Sequence, residues 1–285
     1  MLETLVRSIQ AAKHQSKSTE PKLIAVTSPH GSTGKTTIAI NIALELAAEK
    51  YKVLLIDADL VGPSVANYFC LSELPAGLAG ALRIASQNRF DEFQLERLSI
   101  QVPKSSIVVL PGALAELTVE PTEEILSAIN EVAKKAYDFV IVDLGSVPTS
   151  SKIQKFNLTR ALIQQADQLV LVASADPVGI FRLLAIEASI LELNTEPILV
   201  INRLRNSVIP QAKSEIKATL SKLGSIEVAA FLPDDPIQVD QATRDGMAGG
   251  RSGRAGSLRS SVAIFAKSVI LGRPSALDSR VAKLG

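Results

Sequence analysis

The chain has 285 residues, 47% of them hydrophobic, a length and composition that suit one large α/β domain. Thirty basic and twenty-nine acidic residues leave a formal charge of +1, which excludes a global electrostatic attraction to nucleic acid or acidic lipid. The single cysteine excludes an internal disulfide and a multi-cysteine metal site within one chain, and we expect Cys70 to be a buried thiol. Because no run of about eighteen apolar residues occurs, we expect a soluble, cytoplasmic protein.

Short apolar runs rich in β-branched residues alternate along the chain with longer segments of helical periodicity. The predicted strands are 22–28, 52–57, 106–111, 138–143, 168–174, 197–202 and 226–232. The predicted helices are 35–50, 121–136, 151–166, 177–193, 208–223 and 258–271. Nearly continuous apolar strands are typical of strands covered on both faces. The pattern therefore predicts an α/β fold with a doubly wound, mostly parallel sheet and helices on both faces.

Both ends of the chain differ from its centre. We predict an N-terminal amphipathic helix and polar linker at 1–21, a main domain at 22–272 and a C-terminal tail at 273–285. One face of the first helix carries four apolar residues, Leu2, Leu5, Val6 and Ile9. Such a helix more often packs on its own domain or a dimer partner than on a membrane, although membrane contact stays open. The glycine-rich stretch 246–257 predicts a mobile loop.

The string "PHGSTGKTT" at 29–37, here called the P-loop, joins the first predicted strand to the first predicted helix. A phosphate site at a helix N-terminus needs inward backbone N–H groups, a lysine for the outer phosphates and a hydroxyl for magnesium. Gly34, Lys35 and Thr36 supply these parts, although Pro29 stands where the usual pattern begins with glycine. The whole candidate segment is Gly31, Ser32, Thr33, Gly34, Lys35, Thr36 and Thr37. The alternative is a plain helix N-terminus capped by Ser32 or Thr33.

Acidic residues end two of the predicted strands. Asp57 and Asp59 follow one strand with a single residue between them, and strand alternation turns both carboxylates toward the same side, beside the P-loop. Asp143 ends another strand, with Gly145 two residues later. This arrangement indicates an acid held near Mg²⁺ and a loop that senses the γ-phosphate. Taken singly, each acid is more often an ordinary cap or turn residue.

With these strings in chain order, the sequence resembles the ParA/MinD family of deviant Walker A P-loop ATPases over roughly residues 22–272. The strings are "HGSTGKTT", "DAD", "IVDLG" and "VINRLRN". The resemblance implies that ATP and Mg²⁺ are the cofactors. It implies that Asp59 positions the attacking water, that Thr36 ligates magnesium directly and that Asp143 holds it through water. It makes Lys35 and Asp59 the candidate catalytic residues, with Asp59 also a candidate metal ligand.

The resemblance also implies a base-binding pocket. Asn202 is the candidate reader of adenine, and Pro233, in the string "LPDDP", is the candidate second wall of the pocket. Without the resemblance, Asn202 is equally well explained as a strand-end turn residue.

The sequence departs from the family pattern at the residue that matters for turnover. The family's signature lysine, which reaches across the usual dimer to the partner's nucleotide, is His30 here, and the following glycine pair is Gly31 and Ser32. Histidine is mostly neutral at pH 7 and does not replace a permanent cation beside developing phosphate charge. Nucleotide binding within one chain does not depend on that lysine, whereas fast hydrolysis in a symmetric dimer does. In lacking this lysine, the sequence resembles the CpaE/TadZ subset of the family, which are pilus-positioning proteins.

Two related groups of proteins with the same fold are alternatives. Metal-cluster carriers of the Mrp type are similar in the string "DADLVGPSV" but need paired cysteines, and bacterial tyrosine kinases carry a tyrosine-rich tail that is absent here. We therefore expect a Mg-ATP-dependent switch that hydrolyses ATP slowly and controls self-association and the positioning of a chromosome, division site or pilus machinery. The alternative is a non-catalytic, nucleotide-dependent interaction platform.

Four arginines in or beside the glycine-rich stretch form a candidate patch for DNA phosphates: Arg244, Arg251, Arg254 and Arg259. With no tryptophan and 4% aromatic residues there is little material for base stacking, so any DNA binding should lack sequence preference. A solvated loop is the equally good alternative.

Overall fold

A single sheet runs through the computed structural model, which describes residues 20–112, 117–147, 157–246 and 256–273. The strands are β1 (Lys22–Thr27), β2 (Val53–Ala58), β3 (Ile100–Gln101), β4 (Ile107–Leu110), β5 (Phe139–Leu144), β6 (Gln168–Ser174), β7 (Ile198–Leu204) and β8 (Val228–Pro233). They form an eight-stranded sheet in the order β3-β4-β2-β5-β1-β6-β7-β8. All neighbouring pairs are parallel except β3–β4, which is antiparallel.

The helices lie on both sides of this sheet. They are α1 (Lys35–Ala48), α2 (Val65–Tyr68), α3 (Gly77–Ala85), α4 (Glu92–Leu98), α5 (Glu123–Ala136), α6 (Asn157–Gln165), α7 (Pro177–Leu193), α8 (Ala212–Leu223), α9 (Pro236–Arg244) and α10 (Ser257–Phe265). A π-helical turn, Ala266–Ile270, continues α10. Among the described residues, no helix combines the length and apolar content needed to cross a bilayer.

Alternation along the strands divides the core into two layers. In β2, Leu54 and Ile56 belong to one layer, whereas Val53 and Leu55 belong to the other. Both layers are buried, which is why the strands are apolar at almost every position. The predicted doubly wound α/β fold is therefore confirmed. The division of the chain at residues 21 and 272 stays a prediction.

The order of the central strands determines which loops meet. β1 lies between β5 and β6, and β5 lies between β1 and β2. In the register of the sheet, Asp143 pairs with Val26 on one side and with Asp57 on the other. Parallel strands end at the same edge, so that the P-loop and the acidic strand ends all lie at the carboxyl edge of the sheet.

Several local expectations need correction. Cys70 is exposed rather than buried, because it follows α2 in a turn with a φ of 53° while Phe69 occupies the core beside it. The helix predicted at 208–223 begins only at Ala212, because Gln211 has a left-handed φ of 48°. The short elements α2, α3, α4, α9 and β3 were not predicted. The expected N-terminal helix, and the first residues of the helix predicted at 151–166, lie outside the described residues.

Candidate functional site

The P-loop connects β1 to α1 through two residues of left-handed conformation. Ser32 has a φ of 64° and Gly34 a φ of 89°, and Thr33 between them is fully buried. Such turns direct successive backbone N–H groups into one concavity, which suits an anion. A Cβ on Gly34 would lie 2.6 Å from Nδ2 of Asn202, so that only glycine fits there. Ser32 occupies a conformation that costs a non-glycine residue about 1–2 kcal/mol.

The N-terminus of α1 is open to a ligand. Its N-cap is Gly34, no described side chain caps the helix, and its first turn contains no acidic residue. The alternative in which Ser32 or Thr33 caps α1 is therefore wrong. Uncapped N–H groups at a helix N-terminus carry partial positive charge and bind anions well.

Lys35, the first residue of α1, points toward the acidic strand ends. Its ammonium lies 2.8 Å from Oδ2 of Asp59, and both side chains are largely buried. Burial acts to lower the pKa of Lys35, but the carboxylates of Asp143, Asp59 and Asp57 prevail and raise it. Lys35 is therefore a permanent cation in the site.

Asp59 is held in place from two sides. Oδ2 accepts the hydrogen bond from Lys35, and Oδ1 accepts backbone hydrogen bonds from Val61 at 3.0 Å and Gly62 at 3.1 Å. Burial opposes its ionisation, but the hydrogen bond and charge of Lys35 hold the pKa of Asp59 below the usual range. Asp59 is thus an oriented, ionised carboxylate at the mouth of the P-loop.

Asp143 lies deeper, between β1 and β2, and is fully buried. Among the described residues, neither of its carboxylate oxygens has a well-formed hydrogen bond. Burial raises the pKa of Asp143 to about 7, against the opposing effects of Lys35 and the neighbouring Thr36 hydroxyl. Buried carboxylates normally have partners, so that these oxygens are available to a ligand that the protein itself does not supply.

Asp57, the neighbour of Asp143 in the sheet, differs from it in having hydrogen-bond partners. Its Oδ2 accepts backbone hydrogen bonds from Ser64 at 2.8 Å and Val65 at 3.0 Å, and its Oδ1 accepts one from Asp59 at 3.3 Å. Burial raises its pKa to about 6 despite these bonds. Both carboxylates lie near Lys35 of the P-loop, as expected, but Asp57 also anchors the loop that carries Asp59.

The donor set fits Mg²⁺ better than a metal bound by protein ligands alone. Within the described ranges, no group of three or more His, Cys, Asp or Glu side chains could hold a metal ion. Mg²⁺ typically takes one or two protein ligands and completes its shell with water and substrate phosphates. The unpartnered oxygens of Asp143 and the hydroxyl of Thr36 beside them match that requirement.

Asn202 reaches the P-loop from the end of β7. Its Nδ2 donates to the carbonyl oxygen of Thr33 at 2.9 Å, while its buried Oδ1 has no partner among the described residues. Pro233 ends β8 and pairs in register with Leu204, two residues beyond Asn202. The fold therefore brings the candidate base reader to the P-loop and leaves it one free acceptor.

His30 contacts groups of its own chain. Its Nδ1 lies 2.6 Å from the carbonyl oxygen of Gly31, and its Nε2 is buried without a partner among the described residues. Its ring also lies close enough to Asp176 to contribute to lowering the pKa of that carboxyl, where burial opposes the shift and hydrogen bonds from Ser174 and Gly179 support it. His30 is thus directed toward the beginning of α7.

The candidate DNA patch is not assembled by the described residues. Arg244 is exposed at the end of α9, whereas Arg259 lies 3.7 Å from Glu45 and its side chain is 25% exposed. Arg251 and Arg254 lie outside the described residues. DNA binding through these arginines stays a prediction, and Arg259 contributes to it less than its sequence position indicates.

A link between β1 and the loop after β5 was not predicted from the sequence. Thr27 is fully buried and its hydroxyl donates to the carbonyl oxygen of Gly145 at 2.7 Å. The backbone N–H of Val147 donates to the carbonyl oxygen of Ser28. A Cβ on Gly145 would lie 3.5 Å from Oδ1 of Asp59. The hydroxyl pair directly before the P-loop was the only sequence signal for this link.

Comparisons with known proteins agree with this geometry. Residues 20–222 match the ParA family model described as a NUBPL iron-transfer P-loop NTPase. An iron-sulfur cluster carrier protein of Rickettsia typhi is 29% identical over 143 residues, which are 50% of this chain and 42% of the carrier. A putative septum site-determining protein MinD of Guillardia theta is 24% identical over 228 residues, 78% of this chain and 79% of that protein.

Among solved structures, that of a ParA family ATPase from Chlorobium tepidum superposes with a TM-score of 0.71. It covers 87% of this chain and 99% of its own at 20% identity. At this identity the likeness concerns the fold. The carrier of Rickettsia typhi is matched over less than half of its length, so that its activity does not extend to this chain by similarity alone.

Proposed function

The chain belongs to the ParA family of P-loop NTPases, and from this membership we propose that it is a Mg-ATP-dependent molecular switch that hydrolyses ATP slowly. The observation that carries the proposal is the ion pair between Lys35 and Asp59 at the open N-terminus of α1. A phosphate group bound there competes with Asp59 for the ammonium of Lys35. Nucleotide binding then releases the carboxylate that the reaction needs.

The residues have separate roles in this proposal. The backbone N–H groups of the P-loop and the ammonium of Lys35 bind the phosphates, where preorganised donors also stabilise developing charge. Asp143 and Thr36 would hold Mg²⁺, which would neutralise phosphate charge. Asp59, released from Lys35, orients the water that attacks the γ-phosphate. Asn202, through its free Oδ1, accepts a hydrogen bond from the exocyclic amino group of adenine, with Pro233 beside the base.

Slow turnover follows from His30. Its ring contacts the carbonyl oxygen of Gly31 and lies near Asp176. No permanent cation therefore extends from this position toward a second nucleotide. We propose that nucleotide state controls self-association, and through it the positioning of a chromosome, division site or pilus machinery. The same observation supports the second candidate, a nucleotide-binding platform without turnover. Detectable ATP hydrolysis separates the two.

Cluster carriage is not the function that we propose. Cys70 is the one cysteine of the chain, and iron-sulfur clusters are usually held by four thiolates. Two copies of the chain would supply two. The name of the Rickettsia typhi relative therefore describes a chemistry for which this sequence lacks the ligands.

The test compares Lys35→Ala with Asp59→Ala. We expect Lys35→Ala to abolish ATP binding, and Asp59→Ala to retain it while turnover falls by about a hundredfold or more, because only Lys35 contacts phosphate in the ground state. Calorimetry with ATP and phosphate-release kinetics measure the two quantities. Lys134→Ala, which removes a surface ion pair with Asp167, is the matched control. Equal loss of affinity in both variants would contradict the assigned roles.

A further inference from the structure

The outward face of α7 is apolar where a surface helix is normally polar. Val178 is 56% exposed and Phe181 70% exposed, and the following outward residues, Ala185 and Ala188, are also exposed. Spacings of three and four residues place all four side chains on one side of the helix, here called the α7 stripe. The opposite side is buried in the core through Ile180, Leu183, Ile186 and Ile190. A helix that is apolar on both sides is typical of an interior position, so that the stripe indicates an interface.

Two unpaired charges accompany the α7 stripe. Arg182 and Glu192 are both exposed, and neither forms an ion pair with any of the described residues. They are ten residues apart, which is about 15 Å along the helix axis. The stripe thus has a cation toward its beginning and an anion toward its end.

This arrangement is complementary to itself. We propose that α7 packs antiparallel against α7 of a second copy of the chain, about a two-fold axis that passes between Ala185 and Ala188. Each Ala185 then lies opposite the partner subunit's Ala188, and the small side chains permit an interaxial distance of about 8 Å. The two-fold axis brings each Arg182 to the partner subunit's Glu192, so that one contact type occurs twice.

The proposed interface differs from a dimer that encloses nucleotide. No P-loop residue belongs to the α7 stripe, and no acidic strand end does, so that the pairing does not require ATP. One helix face from each copy makes a small interface. We therefore expect a weak dimer, with a dissociation constant on the order of micromolar.

Sedimentation equilibrium of the full chain, without nucleotide and with chelator, tests the proposal. We expect Phe181→Glu to weaken dimerisation by more than tenfold. Arg182→Glu and Glu192→Arg should each weaken it by about tenfold, because each places like charges opposite one another. The double variant Arg182→Glu/Glu192→Arg restores opposite charges in an antiparallel pair and should return to within about threefold of the wild type. Circular dichroism checks that each variant is folded.

Two controls isolate the interface. Lys222→Glu reverses an exposed charge on α8 and should leave dimerisation unchanged, as should Lys35→Ala, which removes the phosphate contact. A wild-type chain that stays monomeric at about 100 μM would overturn the proposal, whether another segment or another protein covers the stripe. A double variant that dimerises no better than its single parents would overturn the antiparallel pairing.

Discussion

Asp57 and Asp143 are opposite each other in the register between β2 and β5, and both are almost completely buried. Asp57 accepts three backbone hydrogen bonds and anchors a loop, whereas Asp143 has no well-formed hydrogen bond among the described residues. Burial raises the pKa of both carboxyls, to about 6 and about 7. Two carboxyls of equal burial and equal chemistry therefore have different roles, and their hydrogen-bond partners make the difference.

The largest effect is expected at the carboxylate without partners. Asp143→Asn should lower Mg-dependent ATP turnover by about a hundredfold or more, because the amide is a poorer ligand for Mg²⁺ and lacks the charge of the carboxylate. Phosphate release measured against Mg²⁺ concentration checks this. Wild-type turnover at saturating Mg²⁺ would show that Asp143 is not the ligand that we propose.

The next effect concerns the carboxylate that anchors a loop. Asp57→Ala should destabilise the fold by about 2–3 kcal/mol, because three backbone N–H groups lose their acceptor in a buried place. Urea unfolding measures the change. Asp91→Ala, which removes an exposed helix cap bonded to Gln94, is the control and should cost about 1 kcal/mol. A loss at Asp57 no larger than at Asp91 would contradict the anchoring role.

The two carboxylates should also differ in the sign of their effect on stability. In protein free of metal and nucleotide, Asp143→Asn should stabilise the fold by about 1 kcal/mol at pH 8, because it removes a buried charge without a hydrogen-bonded partner. Three carboxylates act on the ammonium of Lys35, so that Lys35 still has two acidic neighbours, Asp57 and Asp59, in the Asp143→Asn variant. Thermal unfolding in chelator measures the change. Destabilisation by 1 kcal/mol or more would mean that Asp143 has a protein partner after all.

The smallest effect extends the comparison to a carboxylate with cationic partners. Glu49, after the last turn of α1, lies 2.7 Å from Arg273 and 3.0 Å from Lys267, and their hydrogen bonds lower its pKa from 4.5 to about 2. A lowered pKa stabilises the fold above the unfolded value and loses that effect as the pH falls toward 2. Glu49→Gln should therefore cost up to about 1 kcal/mol at pH 7 and nearly nothing at pH 2. The exposed Glu227→Gln is the control in urea unfolding, and a cost independent of pH would contradict the ion pairs.

Features with a local signal could be predicted from the sequence. Gly34, Lys35 and Thr36 were predicted to bind phosphate because that chemistry needs those residue types in consecutive positions at a helix N-terminus, and the structure places them at the N-terminus of α1. Seven of the eight strands among the described residues were predicted, because burial on both faces makes a strand apolar at almost every residue. β3 was not predicted because two residues carry no periodicity. The prediction that Cys70 is buried was wrong because apolar sequence neighbours do not reveal a turn with positive φ.

The sequence by itself determined the fold class and the candidate phosphate-binding segment, since hydrophobic period and helix-terminus chemistry act over a few residues. Only the tertiary structure separated Asp57 from Asp143, joined Asn202 to Thr33, and left the outward face of α7 without a cover among the described residues. These features depend on which strand ends become neighbours and which backbone N–H groups remain free. Contacts between positions more than a hundred residues apart, such as Asn202 with Thr33, have no local pattern from which they can be predicted.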